Sequence, residues 1–257
     1  MKFQKWNGLG NDFIFVTDRE AAHLPDVRQL CDRKKGIGAD GVIVISALKS
    51  GEFGMRIINA DGSEAAMCGN ASRCAAKFIR ENFPGQSAEH TFRLKTVSRT
   101  VVTELRPDGL VTVDMGKPAA FLGTITLQAC GHTFQAETCS MGNPHAVIFV
   151  EDIARVELEK WGPVLEHDAQ FPDRCNIEFC QLLAPGKLRM RVWERGCGVT
   201  AACGTGSCAT MAAARKKGLT GPEAEICLDG GSLFIAYEPG GAVFMTGSAD
   251  KVFTGEI

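Results

Sequence analysis

Apolar positions along this chain fall in short runs separated by Gly, Pro, Asn and Asp, which predicts many strands and few helices. Phe3 to Thr17 reads as a strand broken at Asn7-Gly8-Leu9-Gly10-Asn11. Asp26 to Arg33 predicts a short helix, and Val42 to Ala47 a β-branched strand. Glu52 to Asn59 alternates as another strand before the turn residues Asp61-Gly62-Ser63. Ser72 to Asn82 predicts a helix, ended by Pro84-Gly85. Thr91 to Asp114 holds several strands, with a turn at Pro107-Asp108-Gly109. The second half repeats this order. Strands are expected near Ile125–Leu127, His132–Glu137 and Ala146–Val150, a helix through Ala154–Trp161, then strands near Ile177–Leu183 and Lys187–Glu194. A helix over about Thr205–Lys217 stops at Gly218, and short strands near 225–228, 233–237 and 242–246 close the chain.

The repetition extends to single residues. Cys68 lies in Met67-Cys68-Gly69-Asn70-Ala71-Ser72, and Cys203 in Ala202-Cys203-Gly204-Thr205-Gly206-Ser207. Twelve residues before each stands an arginine, Arg56 or Arg191, and nine before each a polar residue, Asn59 or Glu194. Gly10-Asn11 near the start is echoed by Gly142-Asn143. Three echoes in one order indicate a duplicated domain rather than a solenoid. The expected fold class is α+β: two pseudo-symmetric domains, each a mostly antiparallel sheet or barrel around one long helix, with the active site in the interdomain cleft. The expected boundaries are 1–114, joined by a C-terminal strand at 249–257, and 115–248.

Composition narrows the function. The 257 residues carry a net charge of −2, are 45% hydrophobic and 23% charged, and so describe an ordinary globular protein. Acids and bases are interspersed without a basic stripe, so no nucleic-acid partner is expected. The N-terminus lacks an apolar signal core and no run is long enough to span a bilayer, so a cytoplasmic protein with no membrane partner is expected. A homodimer is compatible with the sequence and not required by it. Eleven cysteines in a reducing compartment do not make a disulfide framework. Cys31, Cys130, Cys139, Cys175, Cys180 and Cys227 read as small apolar packers, as do Cys74, Cys197 and Cys208. No thiol–imidazole cluster has the spacing of a zinc site, so no metal is expected. Gly36-Ile37-Gly38-Ala39-Asp40-Gly41 fits a dinucleotide-binding pattern, but a helix precedes it and a strand follows, the reverse of what that motif needs, so it reads as a tight connection.

Cys68 and Cys203 read differently. A thiol followed by glycine and an Ala-rich run is a thiol at the start of a helix, where unpaired N–H groups lower its pKa. One such thiol suggests a nucleophile. Two matched thiols suggest a two-base isomerase, in which one thiolate removes a proton from carbon and the other thiol returns one to the opposite face. The helix N-termini offer donors to a neighbouring carboxylate. The chemistry points to inversion at the α-carbon of an amino acid, a small-molecule substrate, without a cofactor.

Phe3-x-Lys5-x-x-Gly8-Leu9-Gly10-Asn11-Asp12-Phe13, Asn59-Ala60-Asp61-Gly62-Ser63, Met67-Cys68-Gly69-Asn70, Gly142-Asn143-Pro144-His145, Glu194-Arg195-Gly196 and Ala202-Cys203-Gly204-Thr205-Gly206 occur in that order. In these motifs the chain closely resembles the diaminopimelate epimerases from end to end. The resemblance implies two similar domains, no cofactor, and interconversion of LL- and meso-diaminopimelate for lysine and cell-wall synthesis. It implies Cys68 and Cys203 as catalytic thiols, and Gly69, Asn70, Gly204 and Thr205 as donors around the reacting carboxylate. It implies Asn11, Asn59, Asn143, Asn176, Glu194 and Arg195 as the polar set holding the substrate. His145 either tunes a thiol or bridges backbone. Three positions depart from the family pattern, Ala71, Val199 and Ser248; Ala71 puts a methyl near the substrate path. These bear on substrate choice rather than mechanism. Two other readings stay open: a two-cysteine racemase for another amino acid, and a cysteine-based metal or redox-sensing module.

Overall fold

The break expected inside Phe3–Thr17 is a hairpin. β1 (Lys2–Gly8) pairs antiparallel with β2 (Asn11–Thr17), and both turn residues have positive φ, Leu9 at 61° and Gly10 at 89°. The computed structural model describes residues 1–86 and 88–257, in two units: Met1–Asp114 with Thr246–Ile257, and Met115–Met245.

In the first unit β2 leads through α1 (Asp18–Ala21) and α2 (Val27–Cys31) to β3 (Gly41–Ala47), which runs parallel to β2. Antiparallel to β3 lies β4 (Phe53–Asn59), and β5 (Glu64–Ala65) adds two residues to it. α3 (Gly69–Asn82) then crosses to β6 (Thr91–Lys95), which is parallel to β4, and β7 (Thr100–Leu105) and β8 (Val111–Asp114) complete a meander. α3 packs on β7, β1, β8 and β2. Its inner face is Ala71, Cys74, Ala75, Phe78 and Ile79, all buried; sealing a side chain such as Phe78 or Ile79 is worth about 1.5–3 kcal/mol.

The second unit has the same plan. β9 (Ala119–Ala129) and β10 (His132–Ser140) form a hairpin whose turn, Cys130-Gly131, again has two positive φ values, 52° and 82°. β11 (Pro144–Phe149) is antiparallel to β10 and, after the helix α4 (Leu158–Glu166), parallel to β12 (Asn176–Ala184). β13 (Lys187–Glu194) is antiparallel to β12 and carries the short β14 (Gly198–Thr200). α5 (Gly204–Lys216) crosses to β15 (Glu223–Leu228), parallel to β13, followed by the antiparallel β16 (Gly231–Tyr237). β17 (Val243–Gly247) and β18 (Asp250–Glu256) end the chain, and β18 pairs antiparallel with β1. The series β1–β6 and β10–β15 therefore share every pairing, parallel and antiparallel, and each puts its long helix after the two- or three-residue strand. The fold is α+β. Among the described residues, no helix is long and apolar enough to cross a membrane.

Two details differ from the expectations. The helix predicted over 154–161 is a single 3-10 turn at Ile153–Arg155 and then α4, which starts later and runs to Glu166 despite Pro163. What holds α4 is burial of Leu158, Trp161 and Leu165 against Phe171, Ile177 and Phe179, and Gly162 lets Trp193 lie flat on the helix, since a Cβ there would be 2.6 Å from its ring. Tertiary packing overrides the local breaker. Cys130 and Cys197 are exposed, not packed, because both sit in turns. The Gly36–Gly41 segment is a tight connection: a Cβ on Gly36 would lie 2.0 Å from the Gln29 carbonyl, and one on Gly41 2.6 Å from the Ile58 carbonyl.

Candidate active site

Both long helices begin at a cysteine. Cys68 and Cys203 occupy the N-cap of α3 and α5 in extended conformation, and each sulfur accepts an amide of the first turn: Ala71 N–H at 3.5 Å and Gly206 N–H at 3.3 Å. Ser72 and Ser207, four residues on, return their hydroxyls to the carbonyls of Cys68 and Cys203 at 2.8 and 2.9 Å. Gly69 and Gly204 are the first helical residues.

In the first unit two asparagines meet at Cys68. Asn11 Oδ1 lies 3.8 Å from Cys68 Sγ and accepts from Asn70 Nδ2 at 3.4 Å. Asn59 stays in its own turn, where Nδ2 donates to Ser63 Oγ at 2.9 Å. Ala71 has no exposed surface.

The second unit gathers more groups around its thiol. Thr205 Oγ1 is 3.6 Å from Cys203 Sγ and accepts from Asn143 Nδ2 at 3.4 Å. Asn143 Oδ1 meets His145 Nε2 at 3.1 Å, and His145 Nδ1 meets Glu178 Oε1 at 2.6 Å. Glu194 accepts the Thr200 hydroxyl as a donor. Asn176 braces the loop beyond: its Nδ2 donates to the Pro144 carbonyl at 2.8 Å and its Oδ1 accepts Arg195 N–H at 3.0 Å. The Arg195 guanidinium reaches the Asp173 carbonyl at 3.1 Å and lines a cavity of about 380 Å³ with Asn143, Phe121 and Phe171.

Electrostatics separate Cys203 from the sequence expectation. Burial pushes its thiol well above the usual cysteine range, and Glu194 and Glu178 add to the shift; the Thr205 and Gly206 hydrogen bonds pull the other way and lose. A helix N-terminus favours the thiolate, and here burial and the two glutamates outweigh it. Glu194 is itself raised, first by burial and then by Glu178, against the opposing pull of Thr200, His145 and Cys203. The buried Cys74 and Cys139 are held up at about 12 by desolvation, as befits packing residues.

A chain with two helix-capping thiols in duplicated units has relatives. The sequence profile described as Diaminopimelate epimerase matches residues 3–121 and 138–252, which include both cysteines and every residue described around them. This chain belongs to the diaminopimelate epimerase family. Proteins named diaminopimelate epimerase from Synechococcus elongatus and Carboxydothermus hydrogenoformans are 45% and 42% identical to it, each over 100% of this chain and 98% and 99% of theirs. Among solved structures, a PhzF-family phenazine biosynthesis protein of Bacillus anthracis superposes with a TM-score of 0.74 at 14% identity, over 100% of this chain and 98% of that one. A hydroxyproline epimerase from Agrobacterium vitis superposes with a TM-score of 0.68 at 15% identity, over 99% and 91%. At such identities the likeness concerns the fold.

Two carboxylates of the site escaped the sequence reading. Glu178 has no solvent exposure, and its Oε2 makes no hydrogen bond among the described residues. The available signal was an acid between Ile177 and Phe179 in a strand apolar on both faces, where an unpartnered charge is too costly to be incidental. Asp40 was hidden in the glycine-rich segment set aside as a connection; it accepts from Asn11 Nδ2 at 2.6 Å.

Proposed function

We propose that this chain is a cofactor-independent isomerase that interconverts LL- and meso-2,6-diaminopimelate, with Cys68 and Cys203 as its two proton carriers. The observation that carries the reading is the pair of cysteines capping equivalent helices, in a chain 42–45% identical over its full length to proteins named diaminopimelate epimerase.

One sulfur, as thiolate, takes the proton from the α-carbon, and the electron pair left behind delocalises into the adjoining carboxylate. The other sulfur, as thiol, delivers a proton to the opposite face of that carbon. N–H groups at the starts of α3 and α5, at Gly69, Asn70, Gly204 and Thr205, are the donors for the carboxylate as its charge grows. The upward shift at Cys203 supports its starting as the acid, with the half-buried Cys68 as the base. Asn11, Asn59, Asn143, Asn176, Glu194 and Arg195 form the polar set for the amino and carboxylate groups, with Arg195 in the cavity lined by Asn143 suited to bidentate grip of the distal carboxylate. The enzyme works in the cytoplasm, where reducing conditions keep both sulfurs available.

Deuterium wash-in from D₂O at the α-carbon tests the substrate. Exchange is expected with diaminopimelate and little with proline, alanine or glutamate; comparable exchange with a short amino acid overturns the assignment.

A further inference from the structure

A hydrogen-bond chain of one fixed direction crosses the start of α3. Its donor end is the fully buried Arg73, whose Nη1 donates to Asn70 Oδ1 at 3.0 Å. Asn70 Nδ2 donates to Asn11 Oδ1 at 3.4 Å, and Asn11 Nδ2 donates to Asp40 Oδ2 at 2.6 Å. Asp40 Oδ2 also accepts the Asp12 amide at 3.0 Å, and its Oδ1 accepts from Arg33 Nη2 at 2.7 Å. A guanidinium stands at one end and a carboxylate at the other. Neither asparagine amide can turn over without setting donor against donor at one end and acceptor against acceptor at the other, and aligned bonds of this kind strengthen one another. Cys68 Sγ hangs from the middle of the chain, 3.8 Å from Asn11 Oδ1.

We infer that Asp40 is a positioning residue for the chemistry at Cys68: it locks the Asn11 amide with its carbonyl oxygen, rather than its NH₂, toward the thiol. The inference rests on the assignment of Cys68 as a proton carrier. A carbonyl accepts the S–H proton and favours the thiol, whereas an amide turned the other way donates to sulfur and favours the thiolate. In a two-thiol exchange the proton alternates between the sulfurs. Cys203 holds its proton strongly, so an acceptor fixed at Cys68 brings the two proton affinities closer together. The charged and titratable groups around the chain are Arg33, Asp12 and Lys5 beside Asp40, and Cys74 near Cys68, with Arg73, Lys77 and Asp250 acting on Cys74. Asp40→Asn leaves an oxygen where Oδ2 stands and removes the charge. Asp40→Ala removes both.

The experiment is iodoacetamide labelling of the full-length protein across pH, with the peptide ending at Arg73 read by mass spectrometry, so that Cys68 is resolved from Cys74. Asp40→Ala is expected to move the half-labelling pH of Cys68 down by about one unit, with Asp40→Asn close to the parent protein. If Asp40→Ala leaves the profile in place, or if Asp40→Asn shifts it as far as Asp40→Ala does, the positioning role is overturned, the second outcome because charge alone then accounts for the effect. Should Asp40→Ala fail to fold, Asp40→Ser, which also lacks the reach to Asn11, gives the same two readings. The two-thiol scheme fails separately, by full epimerisation in Cys68→Ala, which leaves the labelling result untouched.

Discussion

Glu178 Oε1 lies 2.6 Å from His145 Nδ1, and neither side chain reaches solvent. Through His145 Nε2 and Asn143 this contact extends to Thr205 and the Cys203 sulfur. Glu178→Ala leaves a buried imidazole nitrogen without a partner, which costs about 1–3 kcal/mol. Glu178→Gln keeps an acceptor for that nitrogen and is expected to cost less. Urea unfolding midpoints of the two variants, set beside their epimerisation rates, check both the order and the extent to which Cys203 depends on the relay.

Gly206 sits against the same carboxylate. Glycine to alanine inside a helix is ordinarily worth about 1 kcal/mol in favour of alanine. Here the new Cβ would lie 2.7 Å from Glu178 Oε1 and 3.2 Å from Cys203 Sγ. Overpacking at a sealed site costs about 1–3 kcal/mol, so the clash wins. Gly206→Ala is expected to lower the thermal midpoint and to reduce epimerisation; a stabilised, fully active variant contradicts the packing described here.

The capping role of each thiol and the proton-carrying role proposed for it are separable. Serine is a good N-cap, so Cys68→Ser and Cys203→Ser are expected to hold stability to within about 1 kcal/mol, while the alanine variants lose about 1 kcal/mol of cap. A hydroxyl titrates too high to exchange protons near neutrality, so all four variants are expected to lose epimerisation by about 10²–10⁴-fold. Unfolding curves and rates on the same samples read both effects.

The duplication was legible because glycines and cysteines mark turns and caps that sequence alone can place: Gly10 against Gly142, Cys68 against Cys203. The strands on either side followed from their apolar runs. What stayed hidden depends on side chains far apart in sequence. No local pattern announces that Glu178 stands beneath the start of α5, 26 positions before Gly204, or that Asp40 meets Asn11 across two parallel strands. The helix expected at 154–161 moved because Gly162 and Trp193 interlock, a contact between elements. The lowered thiol pKa expected from a helix N-terminus failed at Cys203 because burial and two carboxylates outweigh a partial charge.

Alkaline conditions test the buried thiols together. Cys31 is held up at about 11, Cys74 and Cys139 at about 12, and Cys203 well above its ordinary 9.0, in each case first by desolvation. Above pH 9 the unfolded chain loses these protons while the folded chain keeps them. Stability is therefore fully present below about pH 9 and falls as pH rises toward 11, by up to about 1.4 kcal/mol per pH unit for each thiol. Urea midpoints between pH 8 and 10.5 are expected to fall with increasing slope; a flat profile contradicts the burial of these thiols.

The account turns on two proton carriers with separate duties, and the isotope content of substrate and product early in the reaction reads this directly. LL-diaminopimelate is incubated with the enzyme in D₂O and sampled before a tenth of it has turned over. Two carriers predict deuterium at the inverted centre of the meso product and almost none in the remaining LL substrate. Deuterium entering both at equal rates from the start would mean that a single base serves both faces, and would contradict the pairing of Cys68 with Cys203.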